Sequence, residues 1–511
     1  MVLYLLVLAL TAVVFNLTLP IMAGLYIVSD LGGSSYLTSY AVSFFCIGNI
    51  IGIPLGKPDH SGLSALQLFV VCLTFMCFFS WQCAIATDYF NFVLFRFLEG
   101  VASGPLFILI TYTLIPLLAP KKNKAFVLSV LLVSFSLAPV LAASYGGWIA
   151  YYHNWRLLFY SNIPLCLFLI ICVGYRYRKS DNKRPEKLHL DVVGYLFYSI
   201  AIVFFGTVLT TGQELDWFRS SLITFLTIAG SISFVFFILR SWSATHPIID
   251  IKLFKNFYFS LAIVNLFLLF SIYFGMVILL GLWLKLYVNY TPNWIALIMG
   301  TMAFGAWIPI LINYMRYDPR LPLTVALAFL AISSFYTTYF NAEINFNRIA
   351  FSRILTGVGL AVFLAPLFRL CTQTVHPKKI PEAICLFHTA RLFGSGIGVS
   401  LFLILWHRRQ VFYHERLGSS LTAFSQNTTQ FFERAKFFNI QGKQALAQLN
   451  FYLQRQATAL ALDDCFFLMG WIVIALLILV VFTFFLPDPV LYDEVKPSDE
   501  NSNSNSSAHK A

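Results

Sequence analysis

Apolar runs long enough to cross a lipid bilayer recur along almost the whole chain. A helix crosses the hydrocarbon core in about 20 residues, and its backbone groups are hydrogen-bonded within the segment itself. Hydrophobic residues make up 59% of the 511 positions and charged residues only 11%, which is far from the balance of a soluble domain. The sequence therefore predicts an all-α polytopic membrane protein.

Charges, prolines, glycines and amide clusters divide the chain into about 14 predicted spans. Their approximate extents are 2–19, 37–55, 63–86, 92–117, 125–147, 157–175, 191–210, 220–240, 258–282, 293–312, 321–340, 350–371, 383–406 and 465–486.

The lysines and arginines predict the orientation of these spans. With both termini in the cytoplasm, seventeen of them lie in the predicted cytoplasmic loops and four in the outer loops and outer span ends. Cytoplasmic loops of membrane proteins carry the excess of basic residues, so both termini are expected inside. The net charge of +12 is thus explained by topology, and no nucleic-acid partner is expected.

Two segments are predicted to lie outside the membrane. Residues 407–464 carry apolar residues at helical spacing, and one or two amphipathic helices are expected there on the outer face. Such helices either dock a partner, here a periplasmic adaptor, or cover the mouth of the protein or lie in the membrane interface. The polar tail 487–511 is expected to be disordered in the cytoplasm.

The chain contains an internal repeat. RFLEGV, which begins at Arg96, is echoed by RILTGV, which begins 257 residues later at Arg353. The same offset relates the loop after the second span to the loop after the tenth. We expect two related six-helix bundles, residues 1–176 and 256–486, with two inserted helices and a basic loop at 177–255. Duplicated halves of this kind are usual in secondary transporters.

Several motifs lie in the order and spacing of one known family. They include NLTLP from Asn16, LFRFLEG from Leu94, LAPVLAASYGGWIAYYHNWRLLFYSNIP from Leu137 and HTARLFGSGIGVSL from His388. With these motifs the chain resembles the major facilitator superfamily, in particular its fourteen-span drug:proton antiporters of the EmrB/QacA type. The resemblance implies the major facilitator fold and export of small amphipathic compounds in exchange for protons, in the bacterial inner membrane.

The chain departs from the family pattern at several positions. Thr11 stands where members usually have an Asp in the first span, Ala142 and Ala143 replace a Gly-Pro in the fifth, and Lys285 replaces a Gln at the end of the ninth. The missing Asp favours an alternative function, a metabolite exporter or uniporter without proton coupling. A second alternative is an accessory membrane component of a multi-protein export assembly.

Charged residues inside spans are the candidate functional residues, because charge is expensive in a bilayer. Glu99 and Arg96 are the candidates for proton coupling, although one turn apart they also have the geometry of a pair that only neutralises itself. Arg353 and Arg391 are expected either to line the substrate cavity or to anchor a helix. Pro139, Gly146 and Gly147 are the candidate hinge or gating positions in the fifth span. His60, His153 and His388 are expected at span ends, where histidines are usually solvated.

Other chemistries leave no pattern in the sequence. The nine cysteines lie in or beside apolar segments without a CxxC or Cys/His cluster, so neither a metal nor a disulfide framework is predicted. The chain has no GxxxxGK[ST] loop for ATP and no catalytic constellation. We therefore expect no cofactor and no enzymatic activity.

Overall fold

A computed structural model describes residues 2–33, 35–57, 60–118, 124–177, 190–305, 308, 318–341, 343–422 and 425–487. Within these ranges we number sixteen helices of nine or more residues. The first nine are α1 (Val2–Thr18), α2 (Pro20–Asp30), α3 (Tyr40–Gly52), α4 (Ala65–Ile85), α5 (Tyr89–Ser103), α6 (Lys124–Tyr152), α7 (Asn162–Tyr177), α8 (Val192–Thr211) and α9 (Ser221–Ser243). The others are α10 (Phe257–Leu286), α11 (Pro292–Gly300), α12 (Arg320–Thr337), α13 (Phe346–Gln373), α14 (Ile380–Ser420), α15 (Gln426–Phe437) and α16 (Lys443–Phe482).

Helix starts follow local side-chain chemistry. Ser64 and Gln67 form a capping box at the start of α4, and the carboxylate of Asp191 accepts a hydrogen bond from the first turn of α8. Asn256 does the same for α10. These side chains satisfy backbone N–H groups that have no partner within the helix, so the polar residues between apolar runs fix where the spans begin.

The predicted all-α membrane architecture is confirmed. Twelve described helices are long and apolar enough to cross a membrane, and α1 with α2 makes a further span that bends by 47° between Thr18 and Pro20. These thirteen lie at predicted spans. The tenth predicted span begins with α11 and a 3₁₀ turn at Thr301–Gly305, but most of the remainder lies outside the described residues. The count of fourteen therefore stays a prediction, and the tail after Pro487 also lies outside the described residues.

The repeat in the sequence appears as a repeated packing contact. A methyl group added at Gly100 would overlap the carbonyl oxygen of Phe45, and one added at Gly357 would overlap that of Met302. The offset of 257 residues relates both members of the two contacts. Because glycine has no Cβ, the backbones of α5 and α3, and of α13 and the turn after α11, approach closely in the same register.

The two halves pack against each other along α3 and α14. The Ser43 hydroxyl donates to the carbonyl oxygen of Gly396 at 2.8 Å and lies 2.9 Å from the Ser400 hydroxyl. On the other side of the molecule, α6 packs against α11. The interior between these contacts is where residues of both halves meet.

The thirteenth and fourteenth spans continue far beyond their predicted ends. α14 has 41 residues and α16 has 40, about 60 Å each at 1.5 Å per residue, which is twice the hydrocarbon thickness. The parts that extend beyond the predicted spans form an antiparallel pair, in which Gln410 donates to the Thr458 hydroxyl at 2.9 Å. The described part of residues 407–464 is mostly helical as expected, but only α15 is a separate helix. A fall in hydropathy ends a span without ending the helix, because no proline or glycine interrupts the chain at residue 407.

Candidate functional site

The charged pair of the fourth span is buried in the first half. α5 begins where the Asp88 carboxylate accepts a hydrogen bond from the backbone N–H of Asn91. The helical period then places Arg96 and Glu99 on one face. Arg96 Nη1 lies 2.7 Å from Glu99 Oε2, and both side chains are 0% exposed. The pair thus lies inside the protein and not toward lipid.

Asn16 of α1 holds this pair from the opposite side. Its Nδ2 donates to Glu99 Oε1 at 2.5 Å, while its Oδ1 and backbone oxygen accept from Arg96 at 3.0 and 3.1 Å. Arg96 Nε also donates to the Ala41 carbonyl oxygen at 3.2 Å, and the Cys83 thiol lies 3.8 Å from Glu99 Oε2. Every guanidinium nitrogen and both carboxylate oxygens have a partner, and the cluster is neutral when Glu99 is ionised.

Arg353 has the equivalent position in the second half but different partners. Its Nη2 donates to the Thr337 and Ser352 hydroxyls, both at 2.9 Å. Three residues later stands Thr356, whose hydroxyl lies 2.7 Å from that of Ser333, where the first half has a carboxylate. Nε and Nη1 of Arg353 have no hydrogen-bond partner, and no carboxylate among the described residues forms an ion pair with it.

Arg391 of α14 lies in an aromatic pocket between the halves. Its guanidinium carbon is 4.9 Å from the ring centroids of both Phe107 and Phe135, and 5.7 Å from that of Phe270. His388, one turn earlier, stacks on Phe107 at 5.0 Å. Arg391 Nε and Nη2 and both ring nitrogens of His388 have no hydrogen-bond partner in the described part of the chain.

The expectation of solvated histidines is correct for one of the three. His153 is exposed, whereas His60 is buried with Nδ1 2.9 Å from the carbonyl oxygen of Pro54. His388 is fully buried, because α14 starts at Ile380 and carries it more than two turns into the bundle. A histidine near the end of an apolar run is therefore not necessarily at the end of a helix.

Pro139 lies within α6. A proline has no N–H, so the carbonyl oxygen of Phe135, four residues earlier, lacks its helical donor. The helix is thus weakened one turn from the ring that contacts Arg391. The predicted hinge position and the aromatic pocket share the same part of the fifth span.

Gly146 and Gly147 lie near the other end of α6, against the bend of the first span. A methyl group at Gly146 would overlap the carbonyl oxygen of Leu19, and one at Gly147 would lie 3.0 Å from Cβ of Met22. The glycines therefore allow α6 to touch the backbone between α1 and α2.

The end of the interface that is predicted to face outward is nearly closed. Lys285 Nζ lies 3.8 Å from the ring centroid of Tyr26, which joins α10 of the second half to α2 of the first. Beside it, Met22 and Met299 help to line a cavity of about 30 Å³, room for about one or two water molecules. A substrate needs these helices to separate.

The opposite end, predicted to be cytoplasmic, is held by ionic contacts. Lys57 donates to the carbonyl oxygen of Ile248 at 2.5 Å and lies 3.7 Å from Glu382 of α14. Asp250 and Lys379 form a second ion pair at 2.6 Å. The connection between the inserted helices and the second half is thus fixed to α14 and to the first half.

Sequence reasoning identified the charges but missed most of their partners. Asn16 was visible as part of the NLTLP motif, yet nothing in the sequence links it to a charge 80 residues away. Thr337 and Glu382 carry no signal of their own, because threonine is common in apolar helices and Glu382 follows an ordinary pair of lysines, Lys378 and Lys379. The pairing of these residues is a property of the packing.

Comparisons with known proteins agree with this architecture. A family model described as Major Facilitator Superfamily matches residues 4–399. The chain is 26% identical over 472 residues to the fatty acid resistance protein FarB of Neisseria gonorrhoeae, covering 91% of each chain. It is 24% identical over 480 residues to the multidrug export protein EmrB of Escherichia coli K12, covering 93% of this chain and 92% of EmrB.

A solved structure shares the fold at much lower sequence identity. The human organic anion transporter MFSD10 superposes with a TM-score of 0.55 and 11% identity, over 92% of this chain and 98% of that one. At this identity the likeness concerns the fold alone. Together with the family model, which covers more than half of the sequence, the paired halves and their buried charges lead to one conclusion: the chain belongs to the Major Facilitator Superfamily.

Proposed function

We propose that this protein is a secondary transporter that exports small amphipathic compounds in exchange for protons. The observation that carries the proposal is the fully buried carboxylate of Glu99, hydrogen-bonded to the first span and to Arg96. Ionisable groups at membrane depth are expensive and mark ion or proton pathways. The names of the relatives, multidrug export and fatty acid resistance proteins, support export of amphipathic molecules.

In this proposal Glu99 is the group that gains and loses the transported proton. Protonation removes the counter-charge of Arg96 and weakens the bonds from Asn16, so the contact between α1 and α5 changes with each proton. This contact holds two helices of the first half together. In this proposal, a change in it shifts those helices and so alters how the first half packs against the second half. Each proton that moves inward across 100 mV contributes roughly 2.3 kcal/mol, which supports more than a tenfold gradient of substrate.

A second candidate is an exporter or uniporter without proton coupling. The hydrogen bonds of Arg96 and Glu99 favour it, since a neutral pair in which each guanidinium nitrogen and each carboxylate oxygen has a partner needs no proton. The absence of an Asp at Thr11 points the same way. In that case the pair only fixes α5 against α1.

Proteoliposomes distinguish the two candidates. We would record the internal pH while a panel of lipophilic compounds is added to wild type, Glu99→Gln and Glu415→Gln, an exposed carboxylate that serves as control. Substrate-evoked proton movement that disappears only in Glu99→Gln supports the antiporter. Substrate flux without proton movement in wild type supports the uniporter.

Arg353 and Arg391 are proposed to line the substrate pathway, and Pro139, Gly146 and Gly147 to form the hinge. The unsatisfied guanidinium donors support the first assignment. The missing hydrogen bond at Pro139 and the close backbone approach at Gly146 support the second. The division into residues 1–176, 177–255 and 256–486 is likewise a proposal, supported by the repeated contacts of Gly100 and Gly357.

The proposed location is the bacterial inner membrane with both termini in the cytoplasm. The excess of basic residues in the loops on one side supports this orientation. Single cysteines at Gly62 and Gly418, introduced into a variant without the native cysteines, test it. A membrane-impermeant maleimide added to whole cells is expected to label position 418 and not position 62.

The outer projection, formed by α15 and the ends of α14 and α16, is proposed to dock a periplasmic adaptor. Phe437, Phe438 and Phe451 are 86%, 71% and 53% exposed there, and exposed aromatic side chains are enriched at protein interfaces. If the projection docks an adaptor, Phe437→Asp with Phe438→Asp abolishes export by cells but not transport in liposomes. Gln430→Asp, an exposed position on the same helix, is the control. Unchanged export in cells would exclude docking through these rings.

A further inference from the structure

The interface between the halves contains a buried positive charge that the described protein does not neutralise. Arg391 is 1% exposed and His388 is 0% exposed. Four of their side-chain nitrogens, Nε and Nη2 of Arg391 and both ring nitrogens of His388, have no hydrogen-bond partner among the described residues. None of the described carboxylates forms an ion pair with Arg391.

Packing alone does not account for this arrangement. The faces of Phe107 and Phe135 attract the guanidinium, but an aromatic quadrupole supplies neither a counter-charge nor an acceptor for the N–H groups. Buried polar groups are nearly always hydrogen-bonded, and an orphaned charged donor is the costliest exception. Arg96 is a buried arginine of this protein with acceptors beside it, since Glu99, Asn16 and Ala41 all accept its hydrogen bonds.

Arg391 lies at a position where a ligand would bind between the two halves. Arg391 lies eleven residues from the start of α14, about 16 Å along the helix and close to the middle of a 30 Å hydrocarbon core. Phe107 and Phe135 come from the first half, whereas Phe270 and Arg391 come from the second. Midplane sites between repeats are where transporters of this architecture bind substrate.

The chemistry of the pocket selects an amphipathic anion. A guanidinium presents planar, paired N–H donors that match the two oxygens of a carboxylate, and His388 adds a further donor in one ring tautomer. The surrounding phenylalanine rings accept an apolar chain or ring system. A cationic compound would meet the charge of Arg391 with no carboxylate from the described residues beside it.

We propose that Arg391, with His388, binds the carboxylate of an amphipathic anionic substrate in the pocket formed by Phe107, Phe135 and Phe270. This inference rests on the proposed function and names its substrate class. Pro139 leaves the helix weakest beside Phe135, so the ring can follow the hinge and release the anion as the halves separate.

Equilibrium binding to the full-length protein in nanodiscs of neutral lipid tests the proposal. The probes are radiolabelled octanoate and octyltrimethylammonium, which share an eight-carbon chain and differ in charge. Wild type is expected to bind octanoate in preference to the cation. Arg391→Gln is expected to bind octanoate about tenfold more weakly or worse, the value of a charge-assisted hydrogen bond, while Arg416→Gln, an exposed arginine on the same helix, behaves as wild type.

Two further variants keep the test decisive. If Arg391→Gln does not fold, Arg391→Lys is expected to retain the preference for the anion with weaker binding. The positive charge remains in this variant, but the planar, paired N–H donors of the guanidinium are lost. His388→Phe is expected to weaken the binding of octanoate without changing the thermal melting temperature. Equal binding of octanoate by wild type and a folded Arg391→Gln overturns the proposal. So does an anionic lipid that copurifies with wild type, is lost from Arg391→Gln and blocks octanoate, since the anion is then a lipid head group.

Failure of this inference is distinguishable from failure of the proposed function. If wild type binds no octanoate and Arg391→Gln still transports lipophilic cations in exchange for protons, the anion site is excluded and the proposed antiporter function stands. If octanoate binding depends on Arg391 and no proton movement is observed, the anion site is supported and proton coupling is excluded.

Discussion

Removal of the Glu99 carboxylate is expected to destabilise the first half strongly. In Glu99→Ala, Arg96 Nη1 loses its partner at 2.7 Å and Asn16 Nδ2 loses its partner at 2.5 Å, and neither group can reach water because all three side chains are buried. Loss of one partner from a buried ion pair costs about 3–5 kcal/mol. Glu99→Gln keeps a hydrogen-bond acceptor and a similar shape, so its cost is expected to be smaller.

A double variant tests whether the uncompensated charge of Arg96 causes the loss of stability. Replacement of both charges, Arg96→Met with Glu99→Met, removes the uncompensated charge and fills a similar volume, and such replacements are often neutral. Thermal unfolding of the purified protein, followed by tryptophan fluorescence, is expected to rank the melting temperatures as wild type and double variant above Glu99→Gln, with Glu99→Ala lowest. The coupling between the two sites is expected to be about 2 kcal/mol or more. A double variant that melts below Glu99→Ala would refute the argument from compensation.

Three other substitutions test the packing and the hinge. Gly100→Ala is expected to lower the stability by about 1–3 kcal/mol, since the added methyl group overlaps the carbonyl oxygen of Phe45; Gly174→Ala, which has open space around it, should leave the melting temperature unchanged or slightly raised. Pro139→Ala restores a helical hydrogen bond and is expected to raise the melting temperature and slow substrate efflux from proteoliposomes; faster efflux would contradict the hinge. Lys57→Ala leaves a buried carbonyl oxygen without its donor and is expected to cost about 1–3 kcal/mol, measurable by the same thermal unfolding.

The sequence was sufficient for thirteen of the fourteen predicted spans, the register of the repeat and the positions of the buried charges. Each of these depends on local properties, namely the hydropathy of about 20 residues, a fixed offset, or two charges one turn apart. The Arg96 and Glu99 pair is the clearest case, because a spacing of three residues in a helix places both side chains on one face. No information from the rest of the chain was needed.

The sequence was not sufficient where distant segments decide the outcome. The hydrogen bonds of Asn16 to Arg96 and Glu99 depend on the tertiary fold, which brings α1 beside a helix 80 residues later in the chain. The burial of His388 depends on how far α14 extends before its apolar part begins. The full lengths of α14 and α16 were missed for a related reason, since a fall in hydropathy ends a predicted span although the helix continues.

The contrast between the two halves carries more information than either half alone. The same register places a glutamate at position 99 and a threonine at position 356, so one arginine of the repeat is neutralised and the other, Arg353, is not. Arg391 adds a second such charge to the same half. In a bilayer protein each unneutralised arginine costs roughly 2.5–3.5 kcal/mol, and the fold could lower that cost with the solution it already uses at Arg96. The anion proposed at Arg391 would lower this cost in the second half, whereas in the first half the carboxylate beside Arg96 belongs to the protein itself, as Glu99.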